Sequence, residues 1–296
     1  MLSHWKEGVV GFNDVIEHVE GDFDKGRLSH AYLLYGPKGV GKFFLATRFS
    51  AMITGFDGDI SSHPDVMVVS SDGVNDNISV DDIRKISGFL RLTPGNGKWR
   101  VVILDGADYM TYSASNALLK ILEEPGENTV LFVIATAIGR MLPTINSRCV
   151  KLYCRAQRSD LMRILTNITG LKDEKQIIAL LNASNQDLGT AIRIHEINAL
   201  PIIEKININL LTNDKSTTNE ILEFALNSID GWEITKITVM TALNSIFKNL
   251  SSSFDNGGEE VFDKVSDMMS LLSLCEYSAL DKSSVLSCCL LQQFRK

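Results

Sequence analysis

The stretch "YGPKGVGKFF", residues 35–44, follows a short apolar run and precedes a helical pattern. Its spacing Gly36-x-x-x-x-Gly41-Lys42 is that of a P-loop, in which backbone N–H groups and the start of a helix bind phosphate. The order of strand, loop and helix therefore predicts a P-loop fold. The residues of the predicted loop are Gly36, Pro37, Lys38, Gly39, Val40, Gly41, Lys42 and Phe43.

Phe43 stands where a P-loop normally carries Ser or Thr, whose hydroxyl binds the magnesium ion of the nucleotide. Hydrolysis also needs an acidic group on a neighbouring strand and a group that orients the attacking water. The run "VVILD" ends in Asp105, which fits the first of these requirements. The next position, where a catalytic Glu would be sought, is Gly106. Two losses in one site predict that the hydrolytic chemistry is absent.

The first half of the chain alternates strand-length apolar runs with helical patterns. Near-continuous apolar runs are typical of parallel strands that are covered on both faces. We therefore predict an α/β domain with a mainly parallel sheet. The predicted strands are 31–35, 65–70, 101–105, 131–136 and 150–154, and the predicted helices between them are 41–53, 79–92 and 113–124, the second with Ser79 as its N-terminal cap.

After about residue 156 helical periodicity replaces the strand pattern. The last of the six prolines is Pro201, so the C-terminal third contains no residue that breaks a helix by its ring. We predict three domains: the α/β P-loop domain at 1–156, a small helical domain at 157–204, and an all-α domain at 205–296.

Composition limits the classes of function that remain. The chain has 296 residues, 45% of them hydrophobic and 22% charged, which is typical of a globular protein. Its formal net charge of −7 argues against a surface wrapped in nucleic acid, although a local basic patch stays compatible with it. The five cysteines form no C-x-x-C pair, and neither a signal peptide nor an apolar run of about 18 residues is present. We expect a cytoplasmic protein without a membrane segment.

Four stretches resemble the delta-prime subunits of the bacterial DNA polymerase III clamp loader, which belong to the AAA+ P-loop superfamily. They are "GRLSHAYLLYGPKGVGK" (26–42), "HPDVMVV" (63–69), "RVVILDGADYMTYSASNALLKILEEP" (100–125) and "NSRC" (146–149). The resemblance implies that 157–204 is a lid domain and that 205–296 belongs to the collar that holds the loader's subunits in a ring. It also implies a subunit that does not hydrolyse ATP.

By this resemblance Arg148, in the motif Ser147-Arg148-Cys149, is an arginine finger that acts on the ATP of an adjacent subunit, and Thr136 is a sensor residue. An Arg placed on a transferring phosphoryl group stabilises charge in the transition state. The residues alone leave a second interpretation open, in which Arg148 caps a sheet edge or pairs with an acid.

The ATPase subunits of the family also carry an Arg in the lid that reaches the γ-phosphate. Here Gly189 falls at that position, with Arg193 as the alternative. The family often inserts a four-cysteine zinc module before "HPD", but residues 50–62 contain no cysteine and His63 alone is a poor candidate ligand. We predict no zinc and no cofactor, while residual binding of ATP or ADP is left open.

Two further features concern charge. By the same resemblance Lys120 and Arg140 are candidates for contact with duplex DNA in the family's central chamber, although isolated basic residues are usually just exposed. The predicted helix 113–124 ends in Glu123 and Glu124, which are either solvated or face a basic group on an adjacent domain or subunit.

The partners implied by the resemblance are the tau/gamma and delta subunits, with the sliding clamp and primed DNA reached through the complex. Two other functions remain in view. One is a weakly active clamp-loader ATPase that relies on Lys42 and Asp105, and the other is an unrelated P-loop enzyme.

Overall fold

The computed structural model describes residues 8–56, 58–71, 77–95, 98–212, 215–227, 231–251, 266–268, 270–272 and 281–291. The chain divides into two compact units, Met1–Ile164 and Leu165–Lys296. The division falls within a helix, Arg158–Thr169. The three predicted domains, 1–156, 157–204 and 205–296, stay a prediction.

The first unit contains a five-stranded sheet in which every neighbouring pair is parallel. The spatial order is β2-β3-β4-β1-β5, so β4 lies between β3 and β1. This confirms the predicted α/β class with a parallel sheet. The strands are β1 (Ala31–Tyr35), β2 (Val66–Ser70), β3 (Arg100–Asp105), β4 (Thr129–Ala135) and β5 (Val150–Tyr153).

Six helices accompany the sheet within the described part of this unit. Ser79 caps the third, as predicted: its Oγ accepts from the backbone N of Asp82, and the Asp82 carboxylate accepts from the backbone N of Ser79. The sequence predictions do not include α1. The helices are α1 (Asn13–Asp24), α2 (Lys42–Thr54), α3 (Val80–Leu90), α4 (Tyr112–Glu123), α5 (Pro143–Asn146) and α6 (Arg158–Thr169).

Alternate residues of β1, β2, β3 and β4 enter two separate apolar clusters, one on each face of the sheet. On β1, Tyr32 and Leu34 pack with α1 and α2, while Ala31 and Leu33 pack with α3 and α4. Side chains of successive strand residues point to opposite faces, so an unbroken apolar strand needs helices on both. The sheet is therefore the middle layer of three.

A buried arginine holds the segment between α3 and β3. Arg100 is 6% exposed, its Nε donates to the carbonyl of Leu92 at 2.7 Å, and its Nη2 donates to that of Thr93 at 2.6 Å. The guanidinium carbon lies 4.6 Å from the ring centroid of Phe89, and Nη2 lies 3.6 Å from the carboxylate of fully buried Asp65. A charge in such a place stabilises the fold only while its partners remain.

The second unit is helical in the residues that the structure describes. Its apolar core joins four helices through side chains such as Ile206, Ile221, Val239 and Leu286. Among the described residues the helices of this unit are α7 (Glu174–Ala183), α8 (Leu188–Glu196), α9 (Leu200–Thr212), α10 (Lys215–Asn227), α11 (Gly231–Ser251) and α12 (Lys282–Leu291). Residues 266–268 and 270–272 are helical as well.

Replacement of Arg100 by Ala should destabilise the first unit strongly, because it removes the donor to the Leu92 and Thr93 carbonyls and the cation beside the buried Asp65 carboxylate. We expect a loss of about 3 kcal/mol in the free energy of unfolding, measured by urea denaturation. Arg84→Ala is the matched control, since that side chain is 72% exposed and pairs with exposed Asp81. The control should change stability by less than about 1 kcal/mol. Equal, small effects of the two variants would contradict the structural role of Arg100.

Candidate functional site

The P-loop joins β1 to α2 through a backbone that only glycine can follow at its first position. Gly36 has a φ of 147°, and a Cβ there would lie 2.2 Å from the carbonyl oxygen of Cys154. The backbone N of Cys154 donates to the carbonyl of Tyr35 at 2.7 Å. The end of β5 is thus packed directly on the start of the loop, and the strand pairing sets the loop's position.

Lys42 is the first residue of α2 and is buried, with 6% of its surface exposed. Its Nζ donates to the carbonyl oxygens of Gly36 at 2.8 Å and of Pro37 at 2.6 Å. The loop therefore curls around the ammonium group of its own lysine. The helix start that follows provides backbone N–H groups and a positive dipole end, which together suit an anion.

Phe43 and Phe44 occupy the first turn of α2 and are 41% and 43% exposed. The Phe44 ring lies 5.1 Å from the guanidinium carbon of Arg48, and a Cβ on Gly8 would lie 3.2 Å from its Cζ. Position 43 thus presents a half-exposed aromatic ring at the helix start. It provides no oxygen to a metal ion, as the sequence predicts.

Asp105 ends β3 beside β4, where its register partner is Ile134. Burial raises the pKa of the Asp105 carboxyl, and the charge of Lys42 acts in the opposite direction. The carboxyl ends of parallel strands meet at one edge of a sheet, so Lys42 and Asp105 share that edge. The structure brings these two predicted residues together.

The backbone geometry at Gly106 leaves no space for a side chain. Its φ is 78°, and a Cβ there would lie 2.1 Å from the carbonyl oxygen of Ser71. The backbone N of Ser71 donates to the carbonyl of Asp105 at 3.0 Å, which keeps the Ser71 backbone close to the end of β3. A glutamate could enter this position only if the backbone moved.

Thr136 follows β4 and is held by Asp108, a residue that the sequence predictions do not include. Its backbone N lies 3.2 and 3.0 Å from the two carboxylate oxygens of Asp108, and its hydroxyl donates to the same carboxylate. The signal for Asp108 was a second carboxylate three residues after Asp105 in "DGAD". The hydroxyl of the predicted sensor therefore has an acidic partner within its own chain.

Arg148 lies near the amino ends of the parallel strands, opposite the carboxyl ends that carry Lys42 and Asp105. It precedes β5, whose first residue Val150 pairs with Tyr32 near the start of β1. The P-loop begins after Tyr35, at the far end of β1, about 13 Å away at the ~3.3 Å rise of each strand residue. Arg148 is therefore remote from the Lys42–Asp105 pair of its own chain.

The motif around Arg148 is anchored in the core and by surface contacts. Cys149 is buried, and this burial raises the pKa of its thiol to about 12. The Ser147 hydroxyl and Arg148 Nη1 both donate to the carbonyl of Thr144, at 3.0 and 2.9 Å. Arg148 Nη2 lies 2.9 Å from Oε1 of Glu123, and 35% of the Arg148 side chain remains exposed.

This ion pair answers one question that the sequence leaves open. Glu123, the last residue of α4, has a basic partner within its own unit. Arg148 does pair with an acid, which is the second interpretation of its role. Both side chains of the pair stay partly exposed.

The remaining predicted site residues lie apart from this edge and from each other. Lys120 is exposed in the last turn of α4, and Arg140 is exposed in a short 3-10 turn, Ile138–Arg140. Gly189 and Arg193 are exposed on α8 in the second unit. The predicted contact of Lys120 and Arg140 with DNA, and the lid position of Gly189 or Arg193, stay predictions.

A metal site does not emerge from the described residues, where no three His, Cys, Asp or Glu side chains are grouped to hold an ion. His63 is buried, its Nδ1 accepts from the backbone N of Asp65 at 3.1 Å, and its ring lies 4.9 Å from that of Phe56. The absence of zinc stays a prediction. Among the same residues no helix has the length and apolar character to span a bilayer.

Comparisons with known proteins agree on one family. The family model described as "DNA polymerase III, delta subunit" matches residues 11–158, half of the chain. The chain is 40% identical over 141 residues to DNA polymerase III subunit delta′ of Pseudomonas aeruginosa, covering 43% of each. It is 33% identical over 166 residues to subunit delta′ of Bacillus subtilis, covering 51% of this chain and 50% of that protein. The matches thus span about half the length of these relatives.

One solved structure shares the fold across nearly the whole chain. It is a DNA polymerase III gamma subunit-related protein from Thermotoga maritima, with a TM-score of 0.54 and 18% sequence identity. The alignment covers 94% of this chain and 97% of that one. At this identity the likeness concerns the fold alone.

Substitution of Gly106 should be costly even when the new side chain is a single methyl group. Gly106→Ala combines a positive φ with a clash against the Ser71 carbonyl, and we expect a loss of about 2 kcal/mol or more in the free energy of unfolding. Gly88→Ala in α3 is the matched control, because a Cβ there meets nothing within 4 Å. The control should be neutral or stabilise by up to about 1 kcal/mol. Urea denaturation of both variants measures this, and a tolerated Gly106→Ala would show that the backbone at 106 adapts.

Proposed function

Because the chain belongs to the family described as DNA polymerase III, delta subunit, we propose that it is a delta-prime-type subunit of the bacterial clamp loader. In this role it helps to load the sliding clamp onto primed DNA during replication. It does not hydrolyse ATP itself, and it stimulates the ATPase of a neighbouring subunit through Arg148.

The condition of the P-loop supports the absence of hydrolysis. The helix start after the loop suits an anion, and Lys42 is bound to the loop's own carbonyls. Position 43, however, has no hydroxyl, and position 106 has neither a carboxylate nor space for one. The hydroxyl of Thr136 donates to Asp108. Binding of phosphate needs a site for an anion, whereas transfer of phosphate also needs a metal ligand and a group that orients water. This site meets only the first requirement.

The observation that carries the proposal is the place of Arg148 in the sheet. The Arg148 guanidinium lies near the amino ends of the strands, one strand length from the P-loop of its own chain. It can therefore reach a phosphoryl group only if another chain presents that group. Arginine fingers supplied in trans stabilise the charge of the transition state and raise the rate by about 10³–10⁵. Exposure of 35% of the side chain leaves the guanidinium accessible to such a neighbour.

The proposal extends to the assembly. We assign 157–204 to the lid and 205–296 to the collar, and we take the tau/gamma and delta subunits as direct partners. The sliding clamp and primed DNA are reached through the complex, with Lys120 and Arg140 as candidate contacts to DNA. The role implies a cytoplasmic location and needs neither zinc nor another cofactor of its own.

A second candidate is a weakly active ATPase of the same loader, favoured by the retained pair of Lys42 and Asp105. Membership of the family argues against an unrelated P-loop enzyme. Purified chain separates the first two candidates: micromolar ATP affinity with measurable hydrolysis supports the ATPase. Co-purification with tau/gamma and delta subunits tests the assembly itself.

Arg148→Ala should abolish the stimulation that this chain gives to its neighbour. In a reconstituted loader we expect assembly to stay intact while DNA-stimulated ATPase at the neighbouring site falls by about 10³-fold or more. Arg84→Ala is the control, since it also removes an arginine from a surface ion pair. A loader with full ATPase activity and Arg148→Ala in place would remove Arg148 from its proposed role.

Phe43→Thr should leave the chain without ATPase activity, although it returns a hydroxyl to the P-loop. The double variant Phe43→Thr/Gly106→Glu should be inactive as well, because the Ser71 carbonyl occupies the space of the new side chain. Release of phosphate from ATP with magnesium measures this, and Lys42→Ala in the same background reports contaminating activity. Robust turnover that depends on Lys42 would show that Phe43 is the decisive loss.

A further inference from the structure

The ion pair between Glu123 and Arg148 joins two segments of the chain that are separated by a strand. We propose that Glu123 is the positioning residue of Arg148: it sets the orientation in which the guanidinium meets the nucleotide of a neighbouring ATPase subunit. This inference rests on the proposed function and adds a residue to it.

The guanidinium is held at both of its terminal nitrogens. Nη1 donates to the Thr144 carbonyl at 2.9 Å, and Nη2 lies 2.9 Å from Glu123 Oε1. Because the group is planar, two anchors on different nitrogens define the plane of the fork. Each terminal nitrogen carries two N–H groups. Besides its bond to Thr144, Nη1 lies 3.5 Å from the Ser147 hydroxyl oxygen, while Nη2 keeps one donor beyond its contact with Glu123 for a phosphate oxygen.

The two anchors are themselves connected through the core. Glu123 ends α4, whose Leu118 and Leu122 are buried, and Ile145 and Cys149 on either side of Arg148 belong to the same apolar cluster. Close packing in such a cluster limits independent movement of α4 and of the segment that carries Arg148. Through Glu123, the position of α4 therefore determines where the guanidinium of Arg148 lies.

The exposure of the pair points to orientation rather than to stability. The side chains of Glu123 and Arg148 are 51% and 35% exposed, and ion pairs of this kind add little to folding. A long arginine side chain has many rotamers, so holding it before a partner arrives lowers the entropy lost on contact. Loss of Glu123 should thus impair the action of Arg148 while the fold remains.

A role of Glu123 as a competitor of phosphate predicts the opposite change in the neighbour's ATPase rate. If Glu123 only competes with phosphate for the guanidinium, its removal should raise the stimulation of the neighbour. The sign of the change consequently distinguishes a positioning residue from a competing one.

The test uses the loader reconstituted with its ATPase subunits and measures kcat and the KM for ATP of the DNA-stimulated reaction. Glu123→Ala should lower kcat by about tenfold with little change in KM, since geometry in the transition state is lost. Glu123→Gln should retain part of the activity, because its amide oxygen still accepts from Nη2. Glu124→Ala is the matched control, an equal change of charge on the adjacent exposed residue. Thermal unfolding of all variants should match that of the unmodified chain.

A double variant assigns the effect to Arg148. Glu123→Ala/Arg148→Ala should be as slow as Arg148→Ala alone, because Glu123 acts through the guanidinium. A further loss in the double variant would overturn the inference, as would normal or increased kcat of Glu123→Ala. If instead Arg148→Ala itself leaves kcat unchanged, the proposed finger fails, and this outcome is recognised from that single variant.

Discussion

The parallel pairing of β1 with β4 on one side and β5 on the other is the constraint on which the rest of the structure depends. Parallel strands bring their carboxyl ends to one edge, where the P-loop, Asp105 and Thr136 follow β1, β3 and β4. The same pairing places the segments that precede the strands at the opposite, amino ends of the strands. Arg148 lies there, before β5, with Glu123 beside it. The P-loop and the guanidinium that we propose to act on phosphate thus lie at opposite ends of the strands.

The contacts of the P-loop and of Gly106, at the carboxyl ends of the strands, hold neighbouring elements of the fold together. Gly36 allows the carbonyl of Cys154 to approach the loop, and Lys42 fills the loop's interior with two hydrogen bonds to its carbonyls. These contacts connect β1, β5 and α2, so they serve the fold whether or not a nucleotide binds. Gly106 is similar, because its conformation admits the Ser71 backbone beside β3. Residues at the positions of an ATPase site therefore contribute to packing in this chain.

Prediction from sequence was strongest where short-range patterns carry the information. The predicted bounds of the five strands lie within two residues of the observed ones, and the predicted cap at Ser79 is confirmed. That prediction needs only a serine before a helical pattern with Asp81 and Asp82 in its first turn. Helix α1 was missed. Its residues Val15, Ile16 and Val19 do follow a helical spacing, but they are few and come between polar residues. Asp108 was missed because its partner Thr136 is 28 residues away and follows another strand, β4.

The sequence by itself determined the P-loop, the losses at Phe43 and Gly106, and the motif around Arg148, because each depends on residue identity over a few neighbouring positions. Tertiary structure alone decided the strand order, the contact of Glu123 with Arg148 and the remoteness of Arg148 from its own P-loop. It also decided that Gly106 cannot accept a side chain, since the obstructing carbonyl belongs to Ser71 on another strand's end. These features arise when segments distant in the chain are brought within a few ångströms by hydrogen-bond pairing and core packing, and no local pattern encodes that distance.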